Sequence, residues 1–133
     1  MANSVPVAVN KCEVKEIFDK NLKTAALKLV KATIKTAVDG AKGLEYDEKN
    51  KQGWLLTVTV TSVNVDDEKK PTTLEAKVLI GGVHTTFKGF TATGNSKASG
   101  INAKKMEDEV AFIVQDAVKD TMTKRAIPQM LKP

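Results

Sequence analysis

The residue pattern predicts an α+β fold: a two-layer sandwich in which two amphipathic helices pack on one face of a mainly antiparallel sheet of three or four strands, in the order β-α-β-β-β-α. Three observations carry that expectation. Apolar residues recur at three- and four-residue spacing before Gly40 and again after Asn102, and the segments between alternate apolar and polar residues and are rich in Val and Thr. The length agrees, since 133 residues is a common size for one domain. That domain spans 1–133, with 1–10 as an N-terminal tail or short edge strand and 126–133 as a C-terminal tail.

The first strand is the least marked: Val5, Val7 and Val9 alternate, and Pro6 suits an edge. Asn10-Lys-Cys-Glu13 then has the form of a capping box, predicting a helix that starts there. Its stripe runs through Val14, Ile17, Phe18, Leu22, Ala26, Val30, Thr33, Ile34 and Ala37 to Asp39-Gly40. Ala41 to Gln52 is polar and reads as a connection.

Trp54, Leu56, Val58 and Val60 predict the inward face of a long strand, with Thr57, Thr59 and Thr61 outward. The apolar parity shifts to Val63 and Val65, so a bulge is expected near Thr61 and Ser62. Leu74, Ala76, Val78 and Ile80 form the next inward face. Gly81-Gly82 between two alternating runs predicts a two-residue hairpin turn. That turn would oppose Ile80 to Val83 and Ala76 to Phe87 inside, and Glu75 to Lys88 outside. Gly89 would then be a bulge before Phe90 and Ala92. Thr91 to Asn102 reads either as a continuation of the strand by small residues or as a loop. A helix follows from about Ala103, lined by Met106, Val110, Ile113, Val114, Ala117, Val118 and Thr121 or Met122. Acids sit near its start, and Pro128 closes it.

The side chains that carry chemistry are few: one Cys, one His, one Trp and one Tyr. His84, the only candidate general base, falls by parity on the outer sheet face with no acid or nucleophile placed beside it. Cys12 in a first helical turn could have a thiol of lowered pKa, although a semi-buried cap-region thiol without a role is the favoured reading. Gly94 to Gly100 is one residue too long for a phosphate-binding loop, and Ile101-Asn102 replaces the Lys-Ser/Thr pair. Asp66, Asp67 and Glu68 are consecutive, unlike the alternating ligands of a calcium loop. No enzyme activity, cofactor or metal is therefore expected.

The formal charge is +5, from 20 lysines and Arg125 against 16 acids, and the excess is local. Lys20, Lys23, Lys28, Lys31 and Lys35 follow one another on the first helix with no acid among them, which makes them candidate anion contacts. Lysine lacks the forked geometry of specific nucleic-acid readers, and no aromatic interleaves with these lysines, so nucleic acid is disfavoured. No stretch approaches the ~18 apolar residues needed to cross a bilayer, and Met1 to Pro6 has neither a basic nor an apolar signal region. A soluble chain is expected, periplasmic or cytoplasmic.

The succession Gly53-Trp-Leu-Leu-Thr-Val-Thr-Val, Thr73-Leu-Glu-Ala-Lys-Val-Leu-Ile, Phe90-Thr-Ala-Thr-Gly-Asn-Ser-Lys-Ala-Ser and a final amphipathic helix resembles, over residues 53–125, small bacterial envelope domains of the curli-secretion-channel type. No ligand motif defines that group, and the lipidated N-terminal Cys is missing. The resemblance implies a non-enzymatic bacterial envelope assembly module of a kind that often oligomerises. Taken with the composition, it makes a protein partner or self-association the first expectation. The working surface would be the outer sheet face, the Gly81-Gly82 hairpin or an exposed strand edge, with Thr57, Thr59, Thr61, Lys77, His84 and Thr86 as candidate interface residues. Two alternatives stand beside it: a peripheral binder of anionic membrane or nucleic acid through the lysines, and a small-molecule binder in a helix–sheet pocket.

Overall fold

The structure is a computed structural model and describes residues 4–49, 52–68 and 70–132. Five strands form one sheet: β1 (Val5–Val14), β2 (Leu44–Tyr46), β3 (Trp54–Asp66), β4 (Thr73–Val83) and β5 (Phe90–Ser99), in the order β2-β1-β3-β4-β5. The helical layer consists of α1 (Lys23–Leu27), α2 (Val30–Asp39), α3 (Met106–Thr121) and α4 (Ile127–Leu131). Helices on one side of a sheet were expected. The sheet is larger than expected and it is mixed: β1 runs parallel to both β2 and β3, while β3, β4 and β5 are antiparallel.

The inner face of β3 organises the molecule. Trp54, Leu56, Val58 and Val60 are buried, the register with β4 shifts between Val60 and Ser62, and Val63 resumes the buried face. The expected bulge is therefore present. The Thr61 hydroxyl donates to the Lys77 carbonyl at 3.0 Å there, taking up an acceptor that the shifted ladder would otherwise leave open.

No helix starts at Asn10. A bulge between Val9 and Lys11 shifts the parity of β1, so that Cys12 and Val14 continue the face of Val7 and Val9 opposite Val58 and Val60. Pairing with β3 satisfies whole backbone groups and buries apolar surface, which outweighs one capping box. The chain stays extended to Ile17, which bridges Val63. Asp19 is the true cap, accepting from the Asn21 N–H at 3.0 Å. β1 is an inner strand, and it tolerates Pro6 because its pairing with β3 begins only at Val7 opposite Trp54. The segment read as a connection from Ala41 to Gln52 contains β2, which pairs with Val5, Pro6 and Val7.

Gly81-Gly82 is not a turn. β4 continues to Val83, and the β4–β5 ladder runs without a shift from Thr73 opposite Ser99 to Gly82 opposite Phe90. Ile80 therefore faces Ala92, and Glu75 faces Lys97 rather than Lys88. Val83 and Phe87, expected inside, are 61% and 42% exposed. Gly82 and Gly94 serve packing. The Phe90 ring occupies the space a Gly82 side chain would need, and Thr121 of α3 occupies that of Gly94. Residues 84–89 form the real connection, so Gly89 lies in it and is not a bulge.

Thr91 to Asn102 is strand as far as Ser99, and Gly100 turns the chain at φ +74°. The predicted stripe of the last helix is buried, from Val110 through Val114 and Ala117 to Met122. Pro128 does not end it. A π-helical turn, Met122–Ala126, carries the Ile127 N–H to the Met122 carbonyl, and Pro128 falls in the first turn of α4, where it displaces no helical donor. Ile127 and Met130 dock on the core.

A side chain at Gly82 must displace the Phe90 ring, whereas Gly81 has open space. Gly82→Ala should cost about 1–3 kcal/mol in urea unfolding, and Gly81→Ala should leave stability near wild type. A positive-φ turn at this dipeptide would penalise both.

Candidate functional site

The two edges of the sheet differ in how their outward backbone groups are treated. At the β2 edge the Tyr46 N–H donates to Asp39 Oδ1 at 3.2 Å and the Leu44 N–H to the Ala41 carbonyl at 3.2 Å, so the three-residue edge is closed from within. At the other end, the Gly100 N–H donates to the Thr72 carbonyl. With an unshifted register, even-numbered residues of β5 bond to β4 and odd-numbered ones point their N–H and C=O groups away. Among the described residues, no hydrogen bond takes the outward groups of Thr91, Thr93, Asn95, Lys97 or Ser99. The strand is ten residues long and carries no proline.

Phe112 stands beside this edge. It projects from α3 with 57% of its surface exposed and lines a shallow depression with Ser96, Lys97, Ala98, Ile113 and Asp116. Ser96 donates to Asp116 Oδ2 at 2.6 Å, which ties the strand to the helix at this level. On the outer face, Asn95 Nδ2 donates to Glu75 Oε2 at 3.2 Å and Lys97 Nζ approaches the same oxygen at 3.8 Å. An unpaired edge with a large apolar side chain next to it has the elements of a strand-addition site.

Thr57, Thr59, Thr61 and Lys77 lie on the outer face as expected, and part of that face is engaged. Thr59 bonds Glu13 Oε1 at 3.5 Å, Lys11 pairs with Glu13 at 3.4 Å, and Thr61 is held in the bulge. His84 and Thr86 are not there. Because β4 runs through the glycines, His84 falls on the inner parity and packs edge-on against the buried Trp54, with ring centroids 5.0 Å apart, next to Phe87 at 4.7 Å. Its Nδ1 accepts from the Thr86 N–H at 3.0 Å and the Phe87 N–H at 3.4 Å. This histidine shapes the connection, and Thr86 is an exposed part of that connection.

Lys20, Lys23, Lys28, Lys31 and Lys35 are all exposed on the helical layer. Their row is not free of acid in space: Glu48, just after β2, reaches Lys31 Nζ at 2.9 Å and takes a hydrogen bond from the Tyr46 hydroxyl at 3.3 Å. The hydrogen bond to Lys31 holds the Glu48 carboxyl below its ordinary pKa and raises that of Lys31, while burial raises Tyr46. Leu22, Ala26, Val30 and Ile34, the apolar stripe beneath these lysines, are buried in the core. That stripe is unavailable to a lipid interface.

Cys12 lies on the inner side of β1 and not in a helix. Burial pushes its thiol pKa up, opposed by the charge of Lys31, which is the reverse of the lowering expected at a helix start. A concavity of about 560 Å³ lies between α2 and the α3–π segment, walled by Ala32, Thr36, Ala37, Lys119, Thr123 and Ile127, and not between helices and sheet. Among the described residues, no three His, Cys, Asp or Glu side chains converge as metal ligands would, and no helix is long and apolar enough to cross a membrane.

Neither a family model nor a curated protein matches the chain. The fold is one that several bacterial proteins share, as small α+β domains with helices on one face of a mixed sheet. The hypothetical protein CT253 from Chlamydia trachomatis superposes with a TM-score of 0.64 at 8% identity, covering 91% of this chain and 95% of that one. PelC from Paraburkholderia phytofirmans, described as a dodecamer, gives 0.56 at 10% identity over 92% and 89%. Lipoprotein GNA1162 from Neisseria meningitidis gives 0.53 at 11% identity over 87% and 96%. At these identities the likeness is one of fold.

Two measurements check the local chemistry. His84→Ala removes the acceptor of the Thr86 and Phe87 amides, so their hydrogen exchange should accelerate at least tenfold, with about 1 kcal/mol lost from global stability. Because burial disfavours its thiolate, Cys12 should react with iodoacetamide more slowly in the folded than in the urea-unfolded chain. Its rate should reach half-maximum at a pH above the unfolded thiol value of about 8.5.

Proposed function

We propose that this chain is a non-catalytic interaction and assembly module of the bacterial envelope that works by adding a strand of another chain to its open β5 edge. The observation that carries the reading is the contrast between the edges: β2 has its outward N–H groups taken internally, while β5 presents five unpaired positions beside the exposed Phe112. A long, proline-free edge is an aggregation hazard that globular proteins ordinarily blunt, so leaving one bare fits a use for it. The bacterial envelope setting rests on the lipoprotein among the proteins of like fold and on the resemblance seen in the sequence. The dodecamer formed by PelC supports an assembly role.

The lysine row has no comparable support, since Glu48 pairs with part of it and the apolar stripe below it is spent on the core.

The Thr93 N–H points away from β4, so Thr93→Pro spares the internal ladder and blocks the outer one. Light scattering across a concentration series, with a pull-down from envelope extract, reads the effect. Association should weaken at least tenfold, with the free energy of unfolding in urea unchanged within ~0.5 kcal/mol. Association that persists in Thr93→Pro would refute the edge, and a strict monomer that captures nothing would refute assembly altogether.

A further inference from the structure

The occupant of the β5 edge can be named from its own symmetry. Resting on the edge reading above, we infer that the partner strand is β5 of a second copy, paired antiparallel about a two-fold axis at Asn95 to give one continuous sheet of both molecules.

The outward positions Thr91, Thr93, Asn95, Lys97 and Ser99 are centred on Asn95. A two-fold there opposes Thr91 to Ser99, Thr93 to Lys97 and Asn95 to itself, using all five positions and opposing no like charges. Shifting the axis to Lys97 sets lysine against lysine. Shifting it to Thr93 carries Lys97 out to Gly89 in the 84–89 connection and leaves Ser99 unpaired. Axes at Gly94 and at Ser96 oppose no like charges but pair only four of the five positions, sending Ser99 to Gly89 or Thr91 to Ile101, so the Asn95 axis is the one that uses all five.

The helical layer agrees with the same axis. Asp116 is level with Ser96, and Thr121 is level with Gly94, so α3 runs antiparallel to β5 and passes the axis between these two contacts. Lys119, one turn beyond Asp116, then lies across the axis from the Asp116 of the other copy, and the relation is reciprocal. Each pair joins opposite charges on exposed surface. The inner-face residues of β5 at the junction are small, Gly94 and Ser96 with Ala92 and Ala98 beyond, which lets the helical layers close over the seam. Phe112, beside Ala98, comes to lie over that seam and loses its exposure there.

Substitutions at three exposed positions read the register. Paired residues of this ladder type have Cα atoms about 5.5 Å apart, within reach of a disulfide. In a Cys12→Ser background, Asn95→Cys should give a covalent dimer under mild oxidation, and Lys97→Cys should not. Thr93→Glu, which meets Lys97 of the other copy, should tighten the dimer several-fold at low salt, and Asn95→Lys should weaken it at least tenfold. Sedimentation should show a dimer as the terminal species.

A disulfide through position 97 in place of 95, tightening by Asn95→Lys, or assembly beyond a dimer that Thr93→Pro still abolishes would overturn the two-fold pairing while leaving the edge in use. Assembly insensitive to Thr93→Pro would remove the edge reading as well. A monomer at millimolar concentration that still captures an envelope protein, and loses it on Thr93→Pro, would retain the edge and refute the second copy.

Discussion

The structure depends on one continuous apolar face, the inner side of β3 and its neighbours, being kept under the helices across two irregularities in the strands. Burying a Val or Leu side chain is worth roughly 1.5–3 kcal/mol, and β3 alone sinks Trp54, Leu56, Val58, Val60 and Val63. A strand that lost parity would turn half of that set to water. The bulges at Asn10 and at Thr61 each restore parity, and in both places the pairing with β3 carries the change. The close seating of Thr121 over Gly94 and of Phe90 over Gly82 follows from the same demand, because helices and rings can approach the sheet only where a side chain is missing.

That demand also explains what the surface is left to do. The lysine-bearing helix spends its apolar stripe on the core, and His84 and Cys12 are both drawn toward the inner side, one to cap a connection and one to fill a flank. The side chains with reactive potential thus serve the fold. Among the described residues, the strand backbone left without partners is concentrated on one edge. β2, by contrast, is closed by Asp39 and by the turn at Ala41.

Much of this was legible in the chain. The two-layer α+β class, the inward residues of β3 and β4, the bulge after Val60 and the stripe of α3 all follow from local periodicity, and the structure has them. Three things were hidden. The continuation of β1 past Asn10 was masked because its bulge breaks the alternation just where Asn10 and Glu13 mimic a helix cap. The Gly81-Gly82 dipeptide carries a strong turn signal, yet it lies within β4, and Gly82 answers to the Phe90 ring rather than to backbone dihedrals. β2 is three residues long and exists only because β1 lies beside it. The Gly81-Gly82 misreading moved His84 to the wrong face, and the open edge could not be placed until the strand order was known. Its one sequence signal was the run of small and polar residues from Thr91 to Ser99.

By itself, then, the sequence determined which residues are apolar on which side of each element, because alternation and helical spacing are local properties of the chain. Only the tertiary structure decided strand order, register and which edge stays bare. These depend on pairings between distant segments, such as Val7 with Trp54 and Gly82 with Phe90, whose hydrogen bonds leave no mark on local composition. The even-numbered residues of β5 face β4 and the odd-numbered ones face solvent for that reason alone.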